Sequence, residues 1–93
     1  MIDGDDETRV WLVERAYSEE VQNMLELVYA TPEGDRHFRL QKMLSVPQQA
    51  DTITAARDVP DGKLEPVRDE ETEDRYAREA DRMRERYEPD ETV

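Results

Sequence analysis

The sequence predicts an α+β fold, in which an antiparallel meander of three to four strands carries one C-terminal helix packed on a face. Runs of alternating apolar residues separated by turn residues occupy 9–43, which is typical of an antiparallel sheet. Residues 69–87 repeat apolar side chains at three- and four-residue spacing, which is typical of a helix that buries one stripe. The 93 residues suffice for a single domain spanning 1–93, and we expect its ends, 1–8 and 89–93, to be frayed.

The first predicted strand is Arg9–Tyr17, with the sequence RVWLVERAY. One alternating set contains Val10 and Leu12, and the other contains Trp11 and Val13. Because both sets are half apolar, the pattern predicts a strand that is covered on both sides along its first half.

The segment 18–27 allows an alternative to a strand. Ser18 can act as an N-cap, and the apolar residues at 21, 24, 25 and 28 have helical spacing. We therefore keep a helix over 18–27 open.

A hairpin turn is indicated by Pro32 and Gly34 in TPEGDR. Pairing Thr31 with Arg36 gathers the apolar side chains on one face, whereas a slip of one residue disperses them. The predicted cross-strand pairs are Tyr29 with Phe38, Leu27 with Leu40 and Leu25 with Lys42. The opposite face then carries Glu26, Val28, Ala30, His37, Arg39 and Gln41.

Residues 47–58 are ambiguous between strand and helix. The β-branched residues at 52–54 favour a strand, while Ala55–Arg57 favours a helix. We predict a fourth strand within 51–59 and keep a short helix as the alternative.

The predicted C-terminal helix, 69–87, has signals at both ends. Asp69 can cap it, acidic residues crowd its first turns, arginines crowd its last turn, and Pro89 follows its end. Its apolar stripe is narrow and consists of Thr72, Tyr76, Ala80, Met83 and Tyr87.

The charge predicts adaptation to molar salt. The net charge is −12, with 25 acidic residues spread along the chain, 11 arginines and only two lysines. A solubilising tail would concentrate the acidic residues in one block, which is not observed. Low hydrophobicity combined with a high net charge is also typical of disordered chains, and this is the competing interpretation. At 1 M salt the Debye length is about 3 Å, so repulsion between surface carboxylates is largely screened.

Compartment and membrane association follow from what the sequence lacks. The absence of cysteine excludes disulfides and thiolate metal sites and suits a reducing compartment. No apolar run approaches the 18 or so residues that a membrane-spanning helix needs, and the acidic N-terminus lacks the order of a signal peptide. We expect a cytoplasmic protein that does not associate with membranes.

Catalytic and cofactor motifs are also missing. His37 is the single histidine, the serines lie outside a nucleophile-elbow context, and there is neither a P-loop nor a GxGxxG motif. We expect no enzyme activity, no cofactor and no metal. The remaining polar candidate is a patch formed by Arg36, His37 and Arg39.

Association is the predicted role, in the form of a non-enzymatic interaction or structural module that forms a homodimer. If the helix covers the leucine-rich face of the hairpin, the Trp11 face is left for a second molecule, since large aromatic residues are enriched in interfaces. The interface candidates are Trp11, Val13, Tyr17, Tyr76, Met83 and Tyr87.

Two alternatives stay open. One is a nucleic-acid-associated regulator that uses Arg36, Arg39 and Lys42, although a charge of −12 repels phosphate backbones and we do not expect nucleic acid as a partner. The other is a small-molecule-binding or cation-binding domain with its site around His37 and Arg39.

Several segments carry a family resemblance, namely VWLVERAYSEE, VYATPEGDRHF, TAARDV, LEPV and READRMRERYEPDE. They resemble small, acidic, uncharacterised proteins of halophilic archaea. The resemblance extends from Val10 to Glu91. It implies a cytoplasmic protein in a high-salt context, and it implies no activity and no site residues.

Overall fold

The computed structural model describes residues 6–20, 23–43 and 53–93 and contains a five-stranded antiparallel sheet with one helix across a face. The strands are β1 (Glu7–Tyr17), β2 (Met24–Ala30), β3 (Arg36–Met43), β4 (Ala56–Pro60) and β5 (Glu65–Pro66). A short 3₁₀ helix (Asp61–Lys63) joins β4 to β5, and helix α1 is Glu70–Arg86. The strand order is β4-β1-β2-β3-β5. The predicted fold class is confirmed, and the sheet has more strands than predicted.

The β2–β3 hairpin has the predicted register. Tyr29 lies opposite Phe38, and the pairing continues through Leu27 with Leu40 to Leu25 with Lys42. Alternation along both strands produced this register, because a one-residue slip would have moved every apolar side chain to the other face.

The hairpin turn is closed by Thr31, which is buried. Its backbone N–H donates to the Arg36 carbonyl at 3.0 Å, and its Oγ1 donates to Asp35 Oδ1 at 2.8 Å. Gly34 has φ +76°, the left-handed conformation that a glycine adopts without steric cost.

The helix alternative for 18–27 is wrong, because β2 already begins at Met24. The Ser18 N–H donates to the Met24 carbonyl at 2.8 Å, and Asn23 has φ +63°, which directs the chain back beside β1. Residues 21–22 of that prediction lie outside the described residues.

The predicted fourth strand is observed as β4, which begins at Ala56, so the helix alternative is wrong for this part of 47–58. Pairing with the outer edge of β1 accounts for the outcome, since Val10 lies opposite Arg57 and Trp11 opposite Ala56. Residues 47–52 lie outside the described residues.

Helix α1 occupies nearly all of the predicted 69–87 range. Asp69 caps it, because its side chain accepts from the Thr72 N–H at 2.9 Å, and the helix ends at Tyr87. The acidic first turn and the arginines of the last turn complement the helix dipole.

Helix α1 packs on the opposite face of the sheet from the one that the dimer prediction assumed. That prediction placed the helix on the leucine-rich face of the hairpin. The helix lies on the Trp11 face, where Tyr76 packs with Val28 and Ala30, and Ala80 packs with Trp11. A β-bulge at Val13 shifts the β1 register, so that Glu14 lies opposite Val28 on this face and pairs with Arg75 of the helix at 3.2 Å.

The leucine-rich face forms the second half of the core. Its buried residues are Val10, Leu12, Leu25, Leu27, Tyr29, Ile53 and Val59. The Tyr29 hydroxyl donates to the Thr54 carbonyl at 2.8 Å, and the Arg57 guanidinium lies 5.8 Å from the Tyr29 ring centroid. Among the described residues, Phe38, Leu40, Leu64, Val93 and the helix residue Met83 pack against this cluster.

The C-terminal residues 89–93, which the sequence predicts to be frayed, are tied to the sheet. The Val93 N–H donates to the Ile53 carbonyl and the Ala55 N–H to the Glu91 carbonyl, with Thr54 opposite Thr92. At the other end, Glu7 and Thr8 already belong to β1, and residues 1–5 lie outside the described residues.

Candidate ligand-binding cleft

A cleft of about 410 Å³ opens between α1 and the edge of the sheet formed by β3 and β5. The helix packs mainly over β1 and β2, so the β3–β5 edge extends beyond it. Three parts of the chain line the cleft: β3 with His37 and Arg39, the segment Glu65–Asp69, and the first turns of α1 with Thr72 and Tyr76.

His37 is held at the inner side of this cleft by the hairpin register, which pairs it with Ala30 beneath the helix. Its side chain is only 14% exposed, and its ring stands edge-on to Tyr76 with centroids 6.4 Å apart. Nε2 lies 3.9 Å from Glu65 Oε1, which is too far for a hydrogen bond, and Nδ1 is buried with no partner.

The protonation of His37 follows from these surroundings. Burial lowers the pKa of His37 below its usual 6.5, the Arg39 charge lowers it further, and Glu65 opposes the shift. The imidazole is therefore neutral at pH 7. Because Nδ1 has no acceptor, the Nε2–H tautomer is favoured, and this places the one N–H donor on the Glu65 side.

Arg39 and Arg68 both line the cleft with exposed guanidinium groups. Neither forms an ion pair with any residue in the described ranges, although other arginines do. Those pairs are Arg9 with Asp58, Arg75 with Glu14, Arg82 with Glu79 and Arg84 with Asp81. Seven of the eleven arginines form no ion pair within the described ranges, and Arg39 and Arg68 are the two of these that line this cleft.

The two carboxylates of the lining are not equivalent. Asp69 is engaged by the helix cap, since its Oδ2 accepts from both the N–H and the hydroxyl of Thr72. These hydrogen bonds lower the pKa of Asp69. Glu65 is 75% exposed and forms no hydrogen bond within the described residues, so its carboxylate is available.

The rest of the lining is apolar, with Pro66, Val67 and the Tyr76 ring between the charged groups. These three residues form the apolar wall of a cleft whose other lining residues are polar or charged, and the volume lies within the usual range of small-molecule sites, about 300–1,000 Å³.

The predicted polar patch is divided between the faces of the sheet. His37 and Arg39 share the cleft, whereas Arg36 alternates to the leucine-rich face, as does Lys42. Sequence reasoning missed Glu65 and Arg68, because β5 has two residues and shows no periodicity.

The predicted interface residues have several different environments. Trp11 is 7% exposed and lies in the core beneath α1, and Tyr76 is a buried residue of α1 itself. Val13, Met83 and Tyr87 are partly buried against the same core. Tyr17, at the end of β1, is 74% exposed.

Metal and membrane features were also sought in the part of the chain that the structure describes. It contains no group of three or more His, Asp or Glu side chains placed to hold a metal ion. Within the same residues, no helix has both the length and the apolar character needed to cross a membrane.

Comparison with known proteins yields one similarity. The model of a family of unknown function, DUF7967, matches residues 4–93. No curated protein and no solved structure matches the chain.

Proposed function

The chain belongs to DUF7967, a family of unknown function, and from the geometry we propose that it is a small non-enzymatic binding module. The cleft between α1 and the β3–β5 edge receives a small organic molecule through an anionic group. Arg39 and Arg68 bind that group, and the apolar wall contacts the remainder of the ligand.

The observation that carries this proposal is that Arg39 and Arg68, which form no ion pair within the described residues, line one cleft of about 410 Å³. A guanidinium presents planar, bidentate donors that match a carboxylate or phosphate. Two guanidinium groups that face the same cleft can therefore bind one external anion together.

A non-enzymatic role is supported by what surrounds His37. A general base needs an orienting partner and a nucleophile within reach. Among the described residues, the Nδ1 atom has no hydrogen-bond partner, and the hydroxyls that line the cleft belong to Thr72, which donates to Asp69, and to Tyr76.

The test uses the single histidine as a reporter. Because the chain has one imidazole, its NMR resonances belong to His37 without ambiguity. We expect titration with benzoate or inorganic phosphate to shift them saturably, and tetramethylammonium to leave them unchanged.

Arg39→Gln and Arg68→Gln should each weaken anion binding by about tenfold or more. Arg36→Gln is the matched control, since it removes the same charge from the same strand on the opposite face, and it should bind as the wild type does. If no anion shifts the His37 resonances, or if the control loses binding equally, the proposal is wrong.

We also propose that the protein works in the cytoplasm at high salt. The support is the spread of 25 acidic residues over the whole chain with only two lysines. Screening of carboxylate repulsion should make the fold more stable in about 2 M KCl than in dilute buffer. Urea unfolding midpoints in the two solutions check this, and equal midpoints would contradict it.

Homodimer formation is a second candidate, favoured by two exposed apolar side chains at one end of the sheet. Tyr17 is 74% exposed and Met43 38% exposed, and they lie on opposite faces of that end, because their cross-strand partners, Leu25 and Met24, are successive residues of β2. Light scattering in about 2 M KCl measures the association. A strict monomer over the whole concentration range would remove this candidate.

Nucleic-acid binding through Arg36, Arg39 and Lys42 is the weaker alternative. Arg39 projects from the opposite face to the other two, so the three charges do not form one patch. We expect no gel shift with duplex DNA, and a shift that Arg39→Glu abolishes would favour the alternative.

A further inference from the structure

The cleft is lined by charged groups of both signs, namely two arginines and the Glu65 carboxylate, that form no ion pair or hydrogen bond with each other. Arg39 and Arg68 form no ion pair within the described residues, His37 is neutral, and the ionised Asp69 carboxylate is engaged by the helix cap. The Glu65 carboxylate has no hydrogen bond within the described residues and lies 3.9 Å from Nε2 of the uncharged His37 ring.

This arrangement discriminates between ligand charges. A simple anion bound to the arginines would also meet the unpaired carboxylate of Glu65, and a simple cation bound to Glu65 would meet Arg39 and Arg68. A molecule with an anionic and a cationic group satisfies all three, because opposite charges at short range attract and like charges repel.

We infer that the ligand of this cleft is a zwitterion of the α-amino-acid class. Its carboxylate lies against Arg39 and Arg68, and its ammonium group lies against Glu65. This inference rests on the proposed function, which requires only the anionic group, and adds the recognition of the cationic group.

The apolar wall of the cleft indicates the side chain of the ligand. Pro66, Val67 and the Tyr76 ring form an apolar surface, so an amino acid with an apolar side chain gains burial there while a polar one does not. The volume of about 410 Å³ accommodates an aromatic or branched aliphatic side chain.

Two matched series of probes separate these contributions. L-phenylalanine is compared with 3-phenylpropionate, which lacks the ammonium group, and with phenethylamine, which lacks the carboxylate. L-leucine is compared in the same way with 4-methylpentanoate and 3-methylbutylamine. The shift of the His37 resonances gives the dissociation constant in each case, and we expect each amino acid to bind about tenfold or more tightly than either analogue.

The variant Glu65→Gln tests whether the difference in affinity between the amino acid and 3-phenylpropionate is due to Glu65. It should weaken binding of the amino acid and strengthen binding of 3-phenylpropionate, so that their affinities converge. Glu70→Gln is the matched control, because Glu70 is exposed in the first turn of α1 and does not line the cleft; it should preserve the wild-type order.

Each outcome has a defined meaning. If 3-phenylpropionate binds as tightly as phenylalanine, or if Glu65→Gln leaves their ratio unchanged, the zwitterion inference is wrong while the anion-binding function stands. If neither the amino acids nor the acids shift the His37 resonances, both the inference and the proposed function fail.

Discussion

On one face of the sheet the side chains are large, and Ile53, Arg57 and the backbone at Thr54 cover them. On the other face the residues beneath the helix include Ala30 and Ala56, and α1 approaches closely enough for Ala80 to pack on Trp11. Both faces bury apolar side chains, and the helix face combines the large Trp11 with the small Ala30 and Ala56.

Small residues therefore decide where the helix binds. A helix approaches a sheet more closely where the intervening side chains are short, and the buried cluster of the leucine-rich face contains no alanine within the described residues. The close approach continues at the hairpin turn, where Gly34 lies against the backbone of Glu73 and Ala77.

The difference also explains the position of the cleft. A helix that crosses the sheet over β1 and β2 leaves the β3–β5 edge of that face beside it. Polar residues of β3 that alternate toward the helix, His37 and Arg39, therefore border a space rather than a packed core.

Replacement of Trp11 tests whether this face is core and should have the largest effect. Trp11→Ala should lower the free energy of unfolding by about 3–5 kcal/mol, because a large buried side chain is removed from beneath Ala80. Urea denaturation of monomeric protein measures it. Tyr17→Ala is the control and should change stability by less than about 0.5 kcal/mol, since that ring is exposed. Equal effects would refute the assignment of Trp11 to the core.

Gly34→Ala tests the close approach of the backbones. It places a Cβ on a residue with φ +76° and brings that atom within 2.7 Å of the Ala77 nitrogen and against the Glu73 carbonyl. We expect a loss of about 3 kcal/mol from left-handed strain and overpacking together. Thermal and urea unfolding check it. Gly62→Ala, where a Cβ meets nothing within 4 Å, should be nearly neutral. A neutral Gly34→Ala would mean that the helix stands further from the turn.

On the leucine-rich face, Tyr29→Phe isolates one polar contact. Burial raises the pKa of the Tyr29 hydroxyl, although Arg57 opposes the shift, so the group stays protonated and donates to the Thr54 carbonyl. Its removal should cost about 1 kcal/mol of unfolding free energy. Tyr87→Phe should cost less, because the Tyr87 hydroxyl has no hydrogen bond within the described residues. The urea midpoints of the two variants decide the point, and equal losses would count against the Tyr29 bond.

The smallest effect concerns pH and His37, whose ring faces Arg39, Glu65 and Tyr76. Its folded pKa is lowered, so the unfolded chain binds the proton more readily, and stability falls as the pH drops below about 6.5. The wild type should be more stable at about pH 7.5 than at about pH 5.5, and His37→Gln should show a smaller difference. An NMR titration of the His37 resonances measures the pKa directly, and a value at or above the usual one would contradict this account.

Local patterns were sufficient for the hairpin and the helix. The register from Leu25 to Lys42 follows from strict alternation around a Pro–Gly turn, and α1 follows from the cap at Asp69 and a spacing of three and four residues. These signals are carried by neighbouring residues, so no knowledge of the rest of the chain is needed to interpret them.

Half of the candidate site could be predicted from local sequence patterns in the same way. His37 and Arg39 were predicted as polar residues that share a face of β3, whereas Arg36 was placed with them wrongly because adjacent residues of a strand point to opposite faces. Glu65 and Arg68 had no pattern to mark them, since a two-residue strand has no period.

Tertiary structure decided which face of the sheet the helix covers and which charges meet at the cleft. Both faces of β1 and β2 are apolar enough to be buried, and the choice between them depends on how closely two backbones can approach, which no local pattern expresses. The pairing of His37 with Glu65 brings together residues far apart in the sequence. The alternation and capping signals of the chain therefore specify its elements, while the steric fit between those elements specifies the site.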